Sequence, residues 1–76
     1  MTAKLEVTFT TPGQMILTLR HIMGYSQKDF AKELGISSNT IYHWEAEKVN
    51  PGAQKLFEII QACGYTIRLE KLTEET

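Results

Sequence analysis

Residues 26–45, SQKDFAKELGISSNTIYHWE, restrict the possible folds more than any other part of this chain. They read as two short helices joined by a tight turn. Ser26 fits an N-cap, with Asp29 three residues on, as in a capping box. Phe30, Ala31 and Leu34 follow as a narrow apolar stripe. Gly35 stands where helices commonly end in a left-handed conformation that glycine adopts cheaply. Ile36 fills the gap between the helices. Ser37 caps the second helix, and Ile41 and Trp44, three apart, form its buried edge. The outward residues are then Ser38, Asn39, Tyr42 and His43. All four can hydrogen-bond, and all but Ser38 are large enough to reach a partner. A short helix with such an uncharged polar face suits base edges in a DNA major groove.

Gln27, Ala31, Gly35, Ile36, Ile41, Trp44 and Glu45 carry a resemblance. Their spacing is similar to that of the phage-repressor (Xre/Cro-type) helix-turn-helix family, and the likeness spans roughly residues 13–63. The resemblance implies a mainly α fold: a lambda-repressor-like four-helix domain that binds DNA, usually as a dimer, and regulates transcription. It also implies that Gln27 contacts a phosphate and that Arg20 pairs with Glu45 in a partly buried salt bridge. In one place the chain departs from the pattern. The family often has glycine two residues after the W-E pair, where this chain has Glu47.

Charge gives the DNA reading no help. The formal net charge of the 76 residues is −1. Between residues 20 and 48, Arg20, Lys28, Lys32 and Lys48 face Asp29, Glu33, Glu45 and Glu47. Non-specific DNA affinity comes from neutralised phosphates, so a single copy is expected to bind poorly. Two copies on one duplex double the contacts, which makes dimerisation part of the functional expectation. The phosphate contacts expected from sequence are Gln27, Lys28, Thr40 and Lys48. Gln27 also offers its amide beside a helix N-terminus, where backbone donors favour an anion.

The rest of the chain frames that unit. Leu5, Val7 and Phe9 alternate with Lys4, Glu6 and Thr8, which predicts a strand over 4–9. Thr11, Pro12 and Gln14 predict a capped helix over about 12–23, with Met15, Ile16, Leu19, Ile22 and Met23 as its apolar stripe and Gly24 as its end. The central helices are expected at 27–34 and 38–45. Asn50 and Pro51 open a fourth helix, 51–63, whose stripe is Leu56, Ile59, Ile60 and Cys63, with Phe57 alongside. Tyr65, Ile67 and Leu69 then alternate with polar residues, which predicts a second strand over 65–70. The whole is one domain. Its two lone strands need partners, within one chain or across a homodimer, and exchange between chains is the preferred arrangement.

Several functions are excluded. Cys63 is the only cysteine, so no internal disulfide and no cysteine-based zinc site is expected. No second metal-type ligand stands at helical spacing from His21. There is no catalytic constellation and no phosphate loop, so neither an enzyme nor a cofactor is expected. His43 and Glu45 are two apart and do not face each other on a helix. No signal peptide or membrane-spanning run is visible, and a cytoplasmic location is expected. Two readings remain. The first is a sequence-specific regulator of double-stranded DNA, expected to repress. The second is an antitoxin-type module that holds a toxin protein and autoregulates its operon; the expected strand after the fourth helix resembles that of some antitoxin-type members of the family.

Overall fold

The computed structural model describes residues 8–68. Four helices run in order: α1 (Pro12–Met23), α2 (Gln27–Leu34), α3 (Ser38–Glu45) and α4 (Ala53–Ala62). Side-chain caps open the first three. The hydroxyls of Thr11, Ser26 and Ser37 accept from the backbone N–H groups of Gln14, Asp29 and Thr40. Each satisfies one of the donors that a helix start leaves free. At Gln14 the box is shifted by one residue. Its Oε1 accepts from the Thr10 N–H and hydroxyl at 3.0 and 2.8 Å, one position before the cap.

The turn between α2 and α3 depends on Gly35, whose φ of 71° lies in the left-handed region. That bend lets the Ile36 N–H reach the Ala31 carbonyl at 2.9 Å and the Gly35 N–H reach that of Lys32 at 3.2 Å. Two carbonyls that the helix end would strand are thereby satisfied. The same closure recurs at Gly24 and Gly64.

The core is one cluster: Met15, Ile16 and Leu19 from α1, Phe30 and Ala31 from α2, Ile41 and Trp44 from α3, and Ile59 and Ile60 from α4. α3 packs against both α1 and α2. Tyr25, Leu34, Ile36, Leu56, Cys63 and Tyr65 close the margins. Burial pushes the Cys63 thiol pKa up, so it stays protonated as a small apolar group.

Four expectations need correction. α4 starts at Ala53, not Pro51, with Gly52 as a cap that makes no side-chain bond, and it ends before Cys63. Proline fixes φ near a value shared by helix and extended chain, so Pro51 alone does not decide where a helix starts. Ile22 and Met23 belong to the apolar stripe of α1 by spacing, yet they are exposed. Phe57 on α4 is half exposed as well. Finally, among the described residues there is no strand. Residues 8–9 and 65–68 are irregular, and the rest of the expected strands, 4–7 and 69–70, lies outside the described residues. Alternation makes a segment two-faced, but a ladder needs a second strand, and the described chain offers none.

Candidate nucleic-acid interface

α3 divides cleanly. Ile41 is fully buried and Trp44 is 8% exposed, which fixes the rotation of the helix on the core. Ser38, Asn39 and Tyr42 are exposed on the other side, and His43 is half-buried. These four fall at i, i+1, i+4 and i+5, so they share one face. Tyr42 and His43 stack edgewise, with ring centroids 5.5 Å apart and planes at 57°. Thr40 is half-buried, and its hydroxyl lies 2.9 Å from that of Ser37.

A partly buried polar knot anchors the end of α3. Arg20 on α1 donates from Nε to Glu45 Oε2 at 2.7 Å and from Nη2 to Oε1 at 3.0 Å. Its Nη1 donates to the Tyr25 carbonyl at 2.9 Å. The Arg20 and Glu45 side chains are only 12% and 7% exposed. Burial pushes the Glu45 pKa up. Hydrogen bonds from Arg20 and Gln27 and the nearby positive charges more than offset this, so the carboxyl sits below the usual glutamate range. The bond to Glu45 likewise raises the pKa of Arg20.

Gln27, expected at a phosphate, is part of this knot. Its Nε2 donates to Glu45 Oε1 at 3.0 Å. One amide hydrogen is therefore committed inside the protein, and the second remains for an external acceptor. Lys28 is exposed on the same turn of α2. Spacing gave no sign of the Gln27 bond, because Gln27 and Glu45 lie on different helices.

The turn after α3 explains the departure at Glu47. Glu47 adopts φ 61°, in the left-handed region that glycine takes cheaply. In a residue with a Cβ this costs about 1–2 kcal/mol. Its stem packs over the start of α1. A Cβ built on Gly13 would lie 2.4 Å from the Trp44 carbonyl oxygen and 2.9 Å from Glu47 Cγ. Gly13 is thus what lets α1 approach the end of α3 this closely. Lys48 follows, and its ammonium stands 5.5 Å from the centroid of the Tyr42 ring.

Among the described residues no cluster could hold a metal ion, and no helix is long and apolar enough to cross a membrane. A helix-turn-helix family model matches residues 16–69, well over half of the chain. No curated protein matches it. The chain belongs to the phage-repressor (Xre/Cro-type) helix-turn-helix family of DNA-binding transcription regulators.

Proposed function

We propose that the protein is a sequence-specific repressor that binds an operator of two half-sites as a homodimer. The observation that carries this reading is the outward face of α3. Ser38, Asn39, Tyr42 and His43 stand together on a helix whose rotation is locked by Ile41 and Trp44. Asn39 is the foremost reader, since its amide matches adenine bidentately in the major groove. Gln27, Lys28, Thr40 and Lys48 flank that face and supply the phosphate contacts, which set position rather than sequence.

Dimerisation follows from charge. The Arg20–Glu45 pair is internal. What remains around the interface is Lys28, Lys32 and Lys48 against Asp29, Glu33 and Glu47. One copy with that balance gains little from phosphates. The terminal segments are the proposed dimer contact, because Phe9 and Ile67 are 42% and 45% exposed and offer apolar surface for a second copy to cover. The toxin-holding alternative draws no specific observation from the described residues.

Selection of bound duplexes from a random pool tests the proposal. The expected product is a two-fold symmetric motif with half-sites about 34 Å apart. A pool that gains no shared motif over successive rounds refutes specific recognition, and a single unrepeated motif refutes the dimer.

A further inference from the structure

Tyr42 is 46% exposed, and a tyrosine on an open helix surface has more than one rotamer available. Here the ring has neighbours on the polar face. His43 lies 5.5 Å away between centroids, and the Lys48 ammonium lies 5.5 Å from the Tyr42 centroid. That second contact is not a helical neighbour contact. Six residues along a continuous helix rotate about 240° past a full turn, which would put Lys48 on another face. It arises because the chain leaves the helix. The Glu47 N–H donates to the Trp44 carbonyl at 3.0 Å, the Lys48 N–H donates to that of His43 at 3.0 Å, and Glu47 takes its left-handed φ. The turn folds back over the end of α3 and delivers the ammonium to the ring.

We infer that Lys48 is a positioning residue for sequence readout, holding the Tyr42 ring by a cation–π contact in the orientation in which it meets a base pair. This rests on the proposed reading of DNA by α3. The ammonium carries three N–H donors, so engagement with the ring leaves others for a phosphate. A pure phosphate contact contributes equally on every sequence, whereas a residue that orients a reader changes preference at one base pair. The two roles therefore separate in a binding experiment.

The experiment uses the full chain and a selected operator duplex, with every single-base variant of one half-site, read by fluorescence anisotropy. Tyr42→Ala identifies the base pair that Tyr42 reads, as the one whose preference it flattens. Lys48→Met keeps the stem and removes the cation. It is expected to reduce preference at that same pair about two- to fivefold, the equivalent of an exposed cation–π contact, and Lys48→Arg is expected to restore it. If Lys48→Met weakens all duplexes by one common factor, Lys48 is a phosphate contact only and the inference is overturned. If the Met and Arg variants lose the preference alike, the shape of the turn is responsible and the inference is equally overturned. If Tyr42→Ala flattens no position, the assignment of Tyr42 as a reader fails first, and there is nothing for Lys48 to orient.

Discussion

Replacing Arg20 with Met would leave the Glu45 carboxylate, 7% exposed, with Gln27 as its one remaining hydrogen-bond partner in the knot. Breaking a buried pair from one side costs about 3–5 kcal/mol, and the slight exposure here points to the lower end, ~3 kcal/mol. Glu45→Leu strands Arg20 in turn, although its bond to the Tyr25 carbonyl survives. A chain of this size has a total stability of only about 4–11 kcal/mol, so either change removes a large share. The expected fall in melting temperature is ~12–24 °C for each single variant. The double variant Arg20→Met/Glu45→Leu places apolar groups in both positions and leaves no charge stranded. It should be clearly more stable than the sum of the two losses implies. Urea melts followed by fluorescence of Trp44, the only tryptophan, read all four proteins. Losses that add to within about 0.5 kcal/mol would refute the coupling. The pair also sets an acid limit. The folded pKa of Glu45 lies below its unfolded value. Its contribution is therefore complete above the unfolded glutamate pKa of about 4.3, and it is lost as pH falls through the lower folded value. Unfolding free energy of the parent should drop below pH ~4 more steeply than that of Glu45→Leu.

Gly13→Ala forces a Cβ against the Trp44 carbonyl oxygen, a backbone atom that cannot rotate away, and thermal melts should show a loss of about 1–3 kcal/mol. Glu47→Val puts a β-branched residue at φ 61° and should cost a further ~1–2 kcal/mol, whereas Glu47→Asn, which tolerates that region, should be close to the parent; equal melts for the two would contradict the backbone account. Asn39→Ala should cost about 1–3 kcal/mol on the operator and relax preference at one base position, and unchanged anisotropy titrations would remove Asn39 from the readers. Light scattering at tens of micromolar should find a dimer of the full chain and a monomer after truncation past Gly64. A monomeric full chain would refute the dimer, and a dimeric truncation would move its interface elsewhere.

What sequence makes legible here is local. Thr11, Ser26 and Ser37 announce helix starts because a short hydroxyl must stand within reach of a backbone N–H two or three residues on. Gly24 and Gly35 announce ends because few other residues take their φ cheaply. Ile41 and Trp44 fix which face of α3 looks outward, and spacing alone reveals that. What depends on tertiary approach is hidden. Gln27 is bound to Glu45 across two helices, and Gly13 is required because a carbonyl from α3 comes close to it. The left-handed Glu47 is invisible to composition, since glutamate does not advertise that region. The expected terminal strands mark the opposite limit. Alternation in 4–9 and 65–70 records an amphipathic segment, and pairing is a property of two segments that neither one encodes alone.

The central claim is that the outward face of α3 is the DNA-contacting surface. It is tested most directly by titrating isotope-labelled full-length protein with the selected duplex and following backbone and side-chain amide signals. The account predicts the largest shifts at residues 26–29, 37–43 and 46–48, with the Asn39 side-chain amide among the most perturbed. Small shifts are expected along the exposed side of α4 at Gln54, Phe57 and Gln61. The largest shifts on α4, with the α3 signals in place, would contradict it.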